Sequence, residues 1–245
     1  MSTRIPNYPR LVRGEPQRAA DLAVAAGSEL GERTFGAPIV DHRSSWVRSK
    51  TILSNLYFVK TYDYPSASDR WRGWLRNTGP LTHSRAAREY DAMAWLRAHE
   101  LPTADPIAVL ETRRFGLLRR AVLVSAAFPG TAADTLLATL APAEQVDLAR
   151  AIGRLVGSLH RRGFRDGNLD LRNLIVQRHT DSWCVAKIDS PRYRLCRPGP
   201  GEDRWTRRDW ARLSPQLQQY GLAAEARAAA SKALVPDTRQ TSGGT

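Results

Sequence analysis

The run Gly163-Phe-Arg-Asp-Gly-Asn-Leu-Asp-Leu-Arg-Asn-Leu-Ile-Val176 and, ten residues further on, Ala186-Lys-Ile-Asp-Ser190 hold the densest chemistry of the chain. Asn173 precedes the apolar triplet Leu174-Ile-Val176, and Asp189 closes the run Cys184-Val-Ala-Lys-Ile188. Polar His179-Thr-Asp-Ser182 joins the two, so they read as short strands linked by a turn. Such a hairpin brings an amide oxygen and a carboxylate to adjacent strand ends, a donor set that suits a hard cation. The competing reading is a turn asparagine and a surface aspartate. The long helix expected just upstream, ending at His160 with Gly163 beyond it, favours the functional one.

That helix, residues 143–161, carries the strongest periodicity in the chain. Val146, Ala149, Ile152, Val156 and Leu159 form one stripe, Pro142 stands at the start and Gly163 just past the end. Downstream, residues 207–213 and 222–234 predict two further helices, and residues 236–245 a disordered tail. Residues 131–134 resemble a capping box with Asp134 in place of the usual glutamate.

The first half reads differently. Residues 1–35 are mixed and Pro-punctuated, and low order is expected of them. Residues 44–53 and 56–60 are rich in β-branched and aromatic side chains, with Ser54-Asn55 as the turn between two strands. Residues 64–69 read as a loop. A helix over 82–99 is bounded by Pro80 and Pro102 and places Tyr90, Met93, Ala94 and Leu96 at helical spacing. Residues 107–111 and 121–125 predict another strand pair, and Phe128-Pro-Gly130 a break. Strands with one helix thus precede helices with one hairpin. This is an α+β chain in two lobes, residues 36–128 and 129–235.

Composition narrows the function. The 245 residues are 42% hydrophobic, with no apolar run long enough to span a bilayer and no apolar stretch over residues 1–18 to serve as a secretory leader. Cys184 and Cys196 give no disulfide framework and no clustered metal ligands, which fits a cytoplasmic setting. A net charge of +13, carried mostly by arginine, favours anionic partners. No aromatic–basic stacking motif supports a nucleic-acid partner.

Lys60 ends the strand-like run Leu56-Tyr-Phe-Val-Lys60 and would project into the interlobe cleft; Glu89 lies on the following helix as its natural partner. Either alone is commonly a solvated surface group. Together with the downstream loop they match what phosphoryl transfer needs: clamped phosphates, a held lysine and a metal at an Asn–Asp pair.

The order Lys60, Glu89, the Asn173 loop and Asp189 resembles the bacterial lipopolysaccharide kinases, kinase-fold enzymes that phosphorylate Kdo or heptose sugars of the inner core. Phe58-Val-Lys-Thr-Tyr62 is similar to that family's lysine strand. Arg70-Trp-Arg-Gly-Trp-Leu-Arg76 and Ser84-Arg-Ala-Ala-Arg-Glu-Tyr90 resemble its link into the helix. Ile188-Asp-Ser-Pro-Arg-Tyr-Arg194 resembles its metal aspartate followed by arginines, and Trp210-Ala-Arg-Leu-Ser214 its late helix. The resemblance covers roughly residues 40–215 and is most specific at the loop and the lysine strand. It implies a two-lobed protein-kinase-like fold with a strand-rich N-lobe and a short, mostly helical C-lobe. ATP with Mg²⁺ is the implied donor, and a sugar hydroxyl of an anionic glycolipid the acceptor. Lys60 would bind the phosphates, Glu89 hold Lys60, Asn173 and Asp189 hold Mg²⁺, and the backbone from Ser125 to Phe128 meet adenine. Arg172, Arg192 and Arg194 would neutralise acceptor phosphates. As in the family, no Gly-rich phosphate loop is evident, and the roughly 55 residues after Asp189 are too few for a protein kinase's full substrate lobe.

The departure is in the loop. The family pattern His-x-Asp-Leu-x-x-x-Asn meets Asp166-Gly-Asn-Leu-Asp-Leu-Arg-Asn173 here, so Asn168 stands where the catalytic aspartate belongs. An amide orients a hydroxyl but takes no proton, and losing a positioned base costs about two to four orders of magnitude in rate. Asp166 and Asp170 flank Asn168 at two-residue spacing, and either could supply the carboxylate. Two readings stay open: a working phosphotransferase, and a pseudokinase that holds nucleotide without transfer. A small-molecule or protein kinase is a third. Trp71 and Trp74, interleaved with arginines, either pack on the upper lobe or sit at the edge of the cytoplasmic membrane's inner face.

Overall fold

The computed structural model describes residues 10–27, 29–52, 54–180, 182–199 and 203–234, with only the backbone of Arg72, Arg76 and Leu234. The chain divides into two compact units, Met1–His99 with Ala104–Phe128, and Glu100–Thr103 with Pro129–Thr245.

In the first unit, the low order expected of residues 1–35 does not hold for the described part. Arg10–Gly14 is strand β1 and Pro16–Ala26 is helix α1, with Pro16 at the first helical position, where a missing N–H costs nothing. Ala19, Leu22 and Ala26 of α1, together with Phe35, are buried in the core. Five strand residues and a proline-started helix are too short to signal themselves by periodicity, and the core they complete lies far along the chain. The extension before residue 10 and the tail expected at 236–245 lie outside the described residues.

Strands β2 (Ala37–His42), β3 (Ser45–Ile52), β4 (Asn55–Asp63), β5 (Asp105–Arg114) and β6 (Leu117–Ala126) join β1 in a six-stranded antiparallel sheet of order β1-β5-β6-β4-β3-β2. Ser54 (φ 66°) turns β3 into β4; Phe115 and Gly116 (φ 52° and 79°) turn β5 into β6 in the left-handed geometry that tight hairpins need. Side chains alternate along β4, which gives the sheet two uses. Val59 packs with the α1 cluster, and Thr61 donates to Gly31 O on the same face. Lys60 and Tyr62 point the other way, toward helix α3 (Arg85–Ala98). Between β4 and α3 runs helix α2 (Ala67–Arg72), capped by Ser66, and a π-helical turn over Trp74–Thr78. The stretch read as a loop at 64–69 is therefore helical from Ala67.

The second unit holds β7 (Thr131–Ala132), α4 (Ala133–Leu137), α5 (Pro142–Arg161), β8 (Phe164–Arg165), β9 (Leu174–His179), β10 (Ser182–Lys187), β11 (Arg194–Leu195), α6 (Arg204–Gln218) and α7 (Ala223–Leu234). Thr131 lies in β7, paired with β9, and caps no helix, so the capping box expected there is absent; α4 starts after Ala132 with no side-chain cap. α5 buries Leu148, Ile152, Val156 and Leu159 and packs closely on α7. That approach requires glycine: a Cβ at Gly153 would stand 2.1 Å from Ala226 O, and one at Gly157 2.5 Å from Ala230 O. β9 and β10 form the expected antiparallel hairpin, with Val176 opposite Val185 and Leu174 opposite Lys187.

Candidate active site

The first unit assembles a held lysine. Lys60 Nζ donates to Glu89 Oε1 and Oε2 at 3.1 and 3.0 Å, and Tyr62 Oη donates to Glu89 Oε1. Glu89 is 3% exposed, while the Lys60 side chain keeps 22% of its surface. A buried carboxylate that accepts from an ammonium and a phenol is well compensated for its desolvation. The ammonium it holds is positioned and still reachable. Arg85 lies over the Tyr62 ring at 4.9 Å and adds to the positive field. The sequence pointed to Lys60 and Glu89 and missed Tyr62; its position two residues beyond Lys60, on the same strand face, was the available signal.

At the end of β6, Ser125 is buried and Phe128 half-buried. Ala127 N–H donates to Leu56 O at 2.8 Å, so that amide belongs to the sheet.

The second unit brings Asn168, Asn173 and Asp189 together. Asn168 Nδ2 donates to Asp189 O at 3.0 Å and to Asp189 Oδ2 at 3.1 Å. Asn173 Nδ2 donates to Asn168 O at 3.2 Å, and Ile188 N–H to Asn173 O at 3.0 Å. Asp189 has φ 57°, a left-handed conformation that aspartate tolerates better than most side chains. With its nitrogen committed to Asn168, Asn173 turns its amide oxygen the other way, and Asp189 adds a carboxylate. This pair fits Mg²⁺, which takes one or two protein oxygens and completes its shell from phosphates and water. Among the described residues no cluster of three or more His, Cys, Asp or Glu side chains forms an all-protein cage.

A buried support lies beneath this loop. Asp209 of α6 is 1% exposed and accepts from Asp166 N–H at 3.0 Å and Gly167 N–H at 2.8 Å. His160 Nε2, at the end of α5, lies 3.1 Å from Asp209 Oδ2, and Arg165 Nη1 donates to His160 O at 2.7 Å. The end of α5 and the loop's backbone are thus tied to one carboxylate of α6. The sequence reading passed over His160 and Asp209, although both sit on the apolar stripes of their helices, where a polar residue is a signal.

Asp166, which its spacing offers as a substitute base, is enclosed beneath the loop. Its carboxylate is buried, with Lys187 Nζ 3.3 Å away, and Lys187 is fully buried too. Lys187 also donates to Ile188 O, and its Nζ lies 3.4 Å from Asp189 O. Burial pushes the Asp166 carboxyl above its ordinary value against the pull of the Lys187 ammonium. A group enclosed in this way meets no acceptor in this conformation. Asp170 is partly exposed, with Oδ2 3.2 Å from Arg212 Nη2 and 3.6 Å from Arg172 Nε. Arg172 and Arg192 are exposed. Arg194 lies in β11 with its guanidinium 4.3 Å over the Trp205 ring.

A family model described as the lipopolysaccharide kinase (Kdo/WaaP) family matches residues 41–233. A search of curated proteins gives no match. Among solved structures, one titled "WaaP in complex with acyl carrier protein" aligns with a TM-score of 0.64 at 18% identity, over 92% of this chain and 88% of that one. At that identity the likeness shows a shared fold.

Proposed function

Because the chain belongs to the lipopolysaccharide kinase (Kdo/WaaP) family, we propose that it moves a phosphoryl group from ATP to a sugar hydroxyl of an anionic glycolipid. The observation that carries this reading is the cluster of Asn168, Asn173 and Asp189, joined by hydrogen bonds on a loop that Asp209 supports from below. Lys60, held by Glu89 and Tyr62, binds phosphate oxygens of the nucleotide. Asn173 Oδ1 and the Asp189 carboxylate hold Mg²⁺, which when bound neutralises charge on the phosphates. Backbone groups between Ser125 and Phe128, other than the Ala127 amide, meet adenine. Arg172 and Arg192 face acceptor phosphates from the exposed side, with Arg194 set against Trp205 beside them.

No free carboxylate is needed at the acceptor. In a loose transition state the bond to the leaving oxygen breaks early and the hydroxyl loses its proton late. Asn168 Oδ1 accepts a hydrogen bond from that hydroxyl and points its oxygen at phosphorus. The new P–O bond forms, ADP leaves with the bridging electrons, and the hydroxyl proton passes to solvent. Asp170, paired with Arg212 and Arg172, shapes the field without taking the proton.

A second reading, a nucleotide-binding pseudokinase, draws on the same residues: a neutral amide at 168, one flanking carboxylate buried and the other paired with arginine. Phosphate incorporation from ATP into purified inner-core glycolipid separates the two. Transfer by the parent chain supports the kinase. Nucleotide-induced thermal stabilisation with no transfer to any inner-core glycolipid supports the pseudokinase.

A further inference from the structure

Of the ten exposed large hydrophobic side chains among the described residues, five, all in the first unit, fall on one short stretch of surface. Trp71 is 74% exposed, Leu75 87%, Leu81 96% and Phe115 90%, with Trp74 beside Trp71 at 5.6 Å between ring centroids. These residues come from two separate segments, α2 with the turn that follows it and the β5–β6 hairpin tip, and one side chain fixes the two together. Arg113 donates from Nη1 to Gly79 O at 2.8 Å and Gly116 O at 3.1 Å, and from Nη2 to Thr82 O at 3.1 Å. Its Nε is held at 2.7 Å by buried Glu111. Gly79 N–H in turn donates to Trp74 O at 3.0 Å, so the π-helical turn joins the same framework. The apolar tips are therefore mounted on a braced base.

The charge around them is predominantly positive. Residues 64–88 hold five arginines against a single acid, Asp69, and residues 113–120 hold four arginines and no acid. Arg114 lies over the Phe115 ring at 5.2 Å, pairing a cation with the apolar tip.

We propose that this edge docks the protein on an anionic bilayer surface, with Trp71, Leu75, Leu81 and Phe115 entering the headgroup–acyl boundary and the surrounding arginines meeting lipid phosphates. Indole rings and arginines suit that boundary because each has an apolar body and a polar or charged end. Side chains that stand almost wholly clear of their own fold suit a partner that moulds around them, and the excess of arginine over acid beside them selects an anionic one. This surface adds to the phosphotransfer reading and does not depend on it, since neither ATP nor a sugar acceptor enters the argument.

The test uses the full chain with vesicles of phosphatidylcholine alone or mixed with phosphatidylglycerol, free of glycolipid and nucleotide, read by co-sedimentation. The expected result is binding to the anionic vesicles and little to the neutral ones. The double variant Leu81→Ser/Phe115→Ser should lower the bound fraction about tenfold or more at an unchanged Tm. Arg114→Glu should weaken binding as well. Val24→Ser and Leu195→Ser, which alter exposed hydrophobics elsewhere, should bind like the parent. Absence of binding to anionic vesicles would overturn the proposal, as would equal loss in the Val24 and Leu195 variants. So would a dimer that Leu81→Ser/Phe115→Ser dissolves while vesicle binding persists.

Discussion

Asn168 commits its side-chain amide to Asp189, donating to the backbone oxygen at 3.0 Å and to Oδ2 at 3.1 Å. The residue that breaks the family pattern is therefore bonded to the residue proposed to hold the metal. An amide can donate to Asp189 on one side and accept from a hydroxyl on the other. A carboxylate at 168 could accept from the hydroxyl but would face a second carboxylate within hydrogen-bond distance.

Lys60 and Glu89 should separate by magnitude. Lys60→Met removes the cation proposed to meet the phosphates and should lower kcat/KM for ATP by about two orders of magnitude or more. Glu89→Gln keeps an acceptor for Lys60 and Tyr62 but loses the charge, and should cost about tenfold. Steady-state kinetics with circular dichroism as the folding control measures both.

The pair of Asp166 and Lys187 should behave as one unit. Lys187→Met alone leaves a buried carboxyl without its cation and should cost about 3–5 kcal/mol in urea unfolding. Asp166→Leu with Lys187→Met should cost less than the sum of the single changes. Because burial raises the Asp166 carboxyl above its ordinary value, the folded state holds that proton more tightly than the unfolded one. The resulting stabilisation is present at low pH and fades as pH rises through the raised value. Relative to Asp166→Asn, the parent should gain stability as pH falls through that window, and urea midpoints across pH would show it.

Asp209 touches no substrate in this account and acts through the loop backbone. Asp209→Asn weakens both N–H contacts and the His160 contact and should destabilise by about 2–4 kcal/mol. It should also lower kcat about tenfold or more, while the KM for ATP, to which Lys60 and the Ser125–Phe128 backbone are proposed to contribute, stays near the parent value. A uniform loss of both, in proportion to the unfolded fraction, would mark a purely structural role.

How far these features could be read from the sequence followed from sequence distance. Lys60, Glu89, Asn173 and Asp189 each close a strong local pattern: an aromatic strand, a bounded helix or a hairpin. The fate of Asp166 could not be read, because spacing along an extended loop puts it beside Asn168, whereas Gly167 at φ 66° turns the chain between them. Lys187 falls in a six-residue strand where alternation does not say which face is buried. β1 and α1 were missed because they become a core only against β5, almost a hundred residues away.

The most direct measurement is phosphate transfer from ATP to purified inner-core glycolipid by the parent chain and by Asn168→Asp, side by side with nucleotide binding. The predicted result is transfer by the parent that Asn168→Asp does not raise. A parent that binds ATP without transferring phosphate, and gains about two orders of magnitude or more with Asn168→Asp, would contradict it.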